Sequence, residues 1–133
     1  MVPTQLGQLF SWSYQVDLEQ TGVSGTIPTE LCRLTKLNRL GWSGMPVSGT
    51  LPRAVGGLVN LEQHFVVRDT ELSGTLPTQV GLMTSLSFDV NLEKNYWVSG
   101  SVPTELGQLS DLSNNLQLWR NRLSGTYPAE LTR

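Results

Sequence analysis

Several short stretches of the chain alternate apolar and polar residues with a period of two. In LSNNLQLWRN, Leu116 and Leu118 alternate with Asn115, Gln117 and Trp119, the pattern of a strand with one face buried. The pairs at the matching offset are Val16 and Leu18, Leu40 and Trp42, Phe65 and Val67, and Val90 and Leu92. Between these stretches the period changes. In PTELGQLSDL the leucines fall three apart, which predicts a helical or 3-10 turn. Five strands with turns between them predict a parallel sheet on one side and short helical turns on the other.

The linking segment is itself repeated. LSGTLPTQV (72–80) recurs as VSGTIPTEL (23–31), VSGTLPRAV (47–55), VSGSVPTEL (98–106) and LSGTYPAEL (123–131). Its prolines, Pro3, Pro28, Pro52, Pro77, Pro103 and Pro128, are spaced by 25, 24, 25, 26 and 25 residues, and Pro46 alone falls outside the series. A fixed period of this size predicts a solenoid, because one such unit cannot bury its own apolar face. Ser and Gly predict a turn, and Pro removes a backbone donor where no ladder bond is needed. Trp12 and Trp42 occupy leucine positions in the repeat frame and are assigned to the core.

These units resemble leucine-rich repeats of the plant-specific kind, LxxLxxLxLxxNxLSGxIPxxLGxL, over essentially the whole chain. The resemblance implies an α/β, right-handed solenoid over residues 1–133: about five short parallel strands on the concave face, with 3-10 or short helical turns opposite. Four of the five coils depart from it by an extra residue or two before the strand, as in LEQHF (61–65) and LSNNL (112–116). The family's Asn, which satisfies buried backbone groups along the turn, survives at Asn95 and Asn121; Thr21, Met45 and Thr70 replace it in the first three coils. Met45 cannot supply a polar group, so the ladder is expected to break or be bridged by water there. Gly41, Gly44 and Pro46 predict a distorted loop in the second coil. The chain starts inside a repeat and stops soon after Leu131, which predicts uncapped ends, and hence a piece of a longer array or burial of an end against another copy.

With 133 residues, 38% hydrophobic and 15% charged, the chain suits one folded domain. A net charge of −2 disfavours nucleic acid and anionic membrane surfaces as partners. Cys32 is the sole cysteine, so no intrachain disulfide or zinc knuckle can form, and a small buried hydrophobe is the expected role. MVPTQLGQLFSW does not read as a secretory signal, and no apolar run is long enough for a membrane helix. The chain is therefore expected to be intracellular or cut from a longer precursor, although the resemblance implies an extracellular location.

An enzyme needs a constellation that this sequence does not offer. His64 is the only histidine, and the repeat frame sets it on the strand side and Cys32 on the helical side. Asp17 with Glu19 and Asp89 with Glu93 share strand faces, but a solvated polar face accounts for them. No catalytic residue, cofactor or metal is expected.

The positions flanking the inward apolar pairs vary from coil to coil while the rest repeats, and extended concave surfaces are where solenoids bind partners. The candidate binding set is Arg39, His64, Val66, Arg68, Asp89, Asn91, Glu93, Tyr96, Trp97, Gln117, Trp119 and Arg120. Trp, Tyr and Arg are the types that most often carry binding energy; the competing reading has Trp97 packing over a two-residue bulge and Trp119 over the open edge. The leading expectation is a non-enzymatic module that binds a protein or peptide, or a glycan. The resemblance implies sensing domains or inhibitors of secreted enzymes. Two alternatives stand beside it. Ser24, Ser48, Ser73, Ser99 and Ser124, Thr26, Thr50, Thr75, Ser101 and Thr126, and Thr29, Thr78 and Thr104 stack in columns that suit water ordering or ice binding. Uncapped ends suit a self-associating element, a homo-oligomer.

Overall fold

The computed structural model describes residues 14–112 and 115–132; Trp12 lies outside them. Among the described residues the chain forms ten strands in two parallel sheets. The odd-numbered strands are β1 (Gln15–Asp17), β3 (Arg39–Ser43), β5 (His64–Arg68), β7 (Asp89–Asn91) and β9 (Asn115–Gln117). They pair in that order to make the concave sheet, with Leu40 in register with Phe65, Phe65 with Val90, and Val90 with Leu116. The even-numbered strands are β2 (Gly25–Thr26), β4 (Val47–Thr50), β6 (Glu71–Thr75), β8 (Trp97–Ser101) and β10 (Arg122–Ser124), paired likewise one coil to the next.

The 3-10 turns are Thr29–Arg33, Arg53–Gly57, Thr78–Leu82, Thr104–Gln108 and Ala129–Thr132. Each of the first four follows a proline held extended, at φ between −63° and −72°. Proline fits there because its missing N–H would have no partner, while its carbonyl starts the turn: Val80 N–H donates to Pro77 O at 3.1 Å and Leu106 N–H to Pro103 O at 3.2 Å. The leucine spacing then aims one side chain per turn inward. Leu31, Val55, Val80 and Leu106 form one buried column and Leu34, Leu58, Met83 and Leu109 a second. They meet the strand residues Leu40, Trp42, Phe65, Val67 and Val90, and Leu92 just after β7, in a core that runs continuously from coil to coil. Trp42 and Cys32 are buried in it, as the sequence predicts. Burial pushes the Cys32 thiol up from the ordinary 9.0 to about 11, with the Glu30 carboxylate adding to the shift.

Three features differ from the sequence reading or refine it. The SGT segment is not a simple turn: it forms the second sheet. Glycine hides this, because Gly49, Gly74 and Gly100 sit inside strands at φ of +83°, +79° and +88°, a backbone that breaks the period-two alternation and that L residues rarely adopt. A Cβ on Gly74 would also lie 2.9 Å from the Thr50 methyl of the coil before. Glycine and threonine therefore interlock from one coil to the next.

The second coil is not distorted. β3 runs a full five residues, and Gly44, at φ +65°, takes the left-handed corner that Gln20, Asp69, Lys94 and Arg120 take in the other coils at φ of 53° to 59°.

The polar ladder is continuous through the last three coils. Asn121 Oδ1 accepts from Asn95 N–H at 2.9 Å, and Asn95 Oδ1 accepts from both the N–H and the hydroxyl of Thr70. Asn95 Nδ2 donates to Val67 O at 2.7 Å and Leu92 O at 3.0 Å. At Met45 the column turns apolar, its sulfur meeting only the Thr21 hydroxyl at 3.2 Å.

Candidate functional site

On the concave sheet the outward positions of successive strands stand about 4.8 Å apart, close enough for side chains one coil apart to pair. Arg39 at the start of β3 pairs with Asp17 of β1 at 3.1 Å. His64 pairs through Nδ1 with Asp89 at 2.5 Å, and its ring lies 5.4 Å from that of Phe88. Arg68, at the end of β5, pairs with Glu93 at 3.1 Å. Asn91 Nδ2 donates to Gln117 Oε1 at 2.7 Å, while Asn91 Oδ1 accepts from Glu93 N–H. The charges of this face are thus largely spent on one another, which fixes their positions.

That pairing sorts the candidate residues. Glu93 is only 3% exposed, and Val66 and Asn91 are buried as well, so these three shape the face from beneath. Arg39, His64, Arg68, Asp89 and Gln117 are partly exposed. The structure brings Arg68 and Glu93 together; Arg39 lies three strands from the coil of Trp119, about 14 Å at the usual strand spacing. Phe88, which is 61% exposed beside His64, has no counterpart in the candidate set. Its signal in the sequence is an aromatic just before β7, where the previous two coils have Asn38 and Gln63.

The remaining candidates lie at the corner where the chain leaves the concave sheet for the second one. Trp119 is 48% exposed and Trp97 55%. The Arg120 guanidinium sits 4.9 Å from the Trp119 ring centroid, and Arg122, a second residue missing from the candidate set, sits 4.6 Å from that of Trp97. Tyr96 reaches back along the corner to line a groove of about 330 Å³ with Met45, Pro46, Asp69, Thr70 and Glu71.

Little here suits chemistry. Cys32 lies in a 3-10 turn and His64 in a concave strand. No group of three or more His, Cys, Asp or Glu among the described residues could hold a metal ion. No described helix is long and apolar enough to cross a membrane.

No protein-family model and no curated protein matches the chain. Solved structures do. The chain is similar to the leucine-rich-repeat ectodomain of the plant membrane receptor kinase GASSHO1/SCHENGEN3 from Arabidopsis thaliana, solved with CASPARIAN STRIP INTEGRITY FACTOR 2: 31% identity and TM-score 0.90, over 98% of this chain and 15% of that one. It is also similar to PEPR1, solved with AtPEP1, at 30% identity and TM-score 0.89, over 98% of this chain and 18% of that one. A plant ice-binding protein shares the fold at 24% identity and TM-score 0.86, over 98% of this chain and 41% of that one. The chain thus spans under a fifth of the first two proteins and under half of the third. Repeat, ladder and neighbours agree: the chain is a leucine-rich-repeat protein with repeats of the plant type.

Proposed function

We propose that the chain is a non-enzymatic recognition module that binds a peptide or protein segment along its concave face and the adjoining corner. The observation that supports it most is the arrangement of that face: a row of variable side chains held in place by ion pairs and hydrogen bonds between coils, flanked by exposed Phe88, Trp97 and Trp119. A face already ordered loses little side-chain freedom on binding, and exposed aromatics supply contact area at low entropic cost. The similar GASSHO1/SCHENGEN3 ectodomain, solved with CASPARIAN STRIP INTEGRITY FACTOR 2, and PEPR1, solved with AtPEP1, favour this class of partner.

The test is selection of a displayed random 12-residue peptide library on the purified chain, followed by titration of enriched peptides against Phe88→Ala and Trp119→Ala. Both side chains are exposed, so neither variant endangers the fold. Peptides that lose at least tenfold in affinity on one or both variants support the reading. Failure to enrich any peptide, or binding indifferent to both variants, refutes it.

A second reading is favoured by the second sheet. Thr26, Thr50, Thr75 and Ser101 are all exposed there, and Thr126, also exposed, follows its last strand. The methyls of Thr26, Thr50 and Thr75 each lie 2.9–3.1 Å from the place a Cβ would take on the next coil's glycine, which gives the three threonines a common orientation. A column of like-oriented hydroxyls about 4.8 Å apart is a surface able to order water, and one protein of this fold binds ice. Ice recrystallisation assays decide the matter: inhibition abolished by Thr75→Tyr supports this reading, and no inhibition at high protein concentration refutes it.

A further inference from the structure

We infer that the corner of the last two coils docks an acidic peptide segment, with Lys94, Arg120 and Arg122 receiving its carboxylates and Tyr96, Trp97 and Trp119 packing against its side chains. The inference rests on the recognition reading above and names the chemistry of the ligand.

Charge is the first ground. On the concave face Arg39, His64 and Arg68 are each paired with a carboxylate, whereas Lys94, Arg120 and Arg122 make no ion pair with any described residue. They are close together. Lys94 and Arg120 are the left-handed corner residues of successive coils, joined by a hydrogen bond from Lys94 N–H to Trp119 O at 3.1 Å, and Arg122 follows two residues on. Three unpaired like charges in one place repel weakly, on a chain whose net charge is −2. The carboxylates Asp69 and Glu71, one coil below, bound the patch on one side without pairing to it.

Geometry is the second ground. Each arginine lies over an indole, Arg120 over Trp119 and Arg122 over Trp97. Stacking uses the face of a guanidinium and leaves the N–H fork at its edge, the part that grips a carboxylate in bidentate fashion. The stack also restrains a long side chain before any ligand arrives. The fourth coil contributes two residues, Tyr96 and Trp97, where the other coils have a single one, Gly22, Pro46, Glu71 or Arg122, and none of those is aromatic. Both rings are at least half exposed, which leaves them available to a partner.

The probes are three fluorescein-labelled decapeptides, (Glu-Tyr)5, (Gln-Tyr)5 and (Lys-Tyr)5, titrated by anisotropy in low salt. The glutamate peptide is expected to bind at least tenfold more tightly than the glutamine peptide, and the lysine peptide not at all. Arg120→Gln/Arg122→Gln should lower affinity for the glutamate peptide about tenfold, Trp97→Ala should also weaken it, and Leu82→Ala, exposed in the 3-10 turn Thr78–Leu82, should leave it unchanged. All the altered residues are exposed, and melting curves confirm that each variant folds. Equal binding of the glutamate and glutamine peptides, or glutamate binding indifferent to the double variant, overturns the inference. Binding that is lost in Phe88→Ala but indifferent to Trp97→Ala and to the double arginine variant overturns it too, but leaves concave-face recognition standing.

Discussion

Replacing Asn95 with alanine should destabilise the solenoid more than any other single truncation in the polar ladder. Asn95 is almost completely buried and serves four groups at once. Its amide donates to Val67 O and Leu92 O, and its oxygen accepts from the N–H and the hydroxyl of Thr70. Leu92 O keeps a second donor, Asn121 Nδ2 at 2.9 Å. The truncation therefore orphans two buried groups, Val67 O and Thr70 N–H, and takes the acceptor from the Thr70 hydroxyl, which still accepts from Leu72 N–H at 3.3 Å. A buried group left without a partner costs about 1–3 kcal/mol. Water entering the small void recovers part of that, so about 3–5 kcal/mol is expected, a large share of the roughly 5–15 kcal/mol that holds a domain folded. Asn121 provides the internal control. It donates to Leu92 O and Leu118 O and accepts from Asn95 N–H, but it is only partly buried, and water can take its place. Asn121→Ala should cost about 1–2 kcal/mol. Urea unfolding followed by far-UV circular dichroism measures both. A loss under 1 kcal/mol for Asn95→Ala, or equal losses for the two variants, would refute the ladder as a chief source of stability.

Three further outcomes follow from the packing between coils. A Cβ at Gly81 would lie 2.2 Å from the Glu105 carbonyl oxygen, so Gly81→Ala must push two coils apart and should cost about 3 kcal/mol, the upper end for overpacking; thermal melts check this, and an unchanged midpoint contradicts it. Gly74→Ala combines a left-handed φ with the Thr50 methyl at 2.9 Å and should cost about 2 kcal/mol, whereas the double variant Gly74→Ala/Thr50→Ser keeps only the backbone part, about 1 kcal/mol. The Cys32 thiol, raised to about 11, binds its proton more tightly in the folded chain than in the unfolded one. Stability from this source is intact below pH 9 and falls as pH climbs from 9 towards 11; Cys32→Ser should flatten that limb, and a Cys32 that reacts with a thiol reagent at pH 8 as fast as the unfolded chain contradicts the burial.

The concave strands were legible because burial on one face imposes a period of two, which Leu40 and Trp42 or Phe65 and Val67 display plainly. The 3-10 turns were legible from proline and the leucine spacing. The second sheet was not, since a glycine at positive φ inside each strand reads locally as a turn, and only the register between coils turns Ser-Gly-Thr into a ladder. For the same reason Gly44 reads as a distortion within one coil but as a regular corner in the column of left-handed residues. At the candidate site, sequence spacing placed Tyr96, Trp97, Trp119 and Arg120 near one another. It could not show that Asn91 and Glu93 are buried, because burial on this face depends on which neighbouring side chains reach across. Arg122 escaped notice because its partner Trp97 lies in the previous coil, 25 residues away.

The most direct test of the recognition reading is nuclear magnetic resonance on the isotope-labelled chain with a peptide selected from the random library. Backbone shifts should move along β3, β5 and β7, in Phe88, and at the corner from Lys94 to Arg122, while the 3-10 turns at Arg53–Gly57 and Thr78–Leu82 stay unmoved. Perturbations confined to those turns or to the exposed threonine column of the second sheet would contradict it.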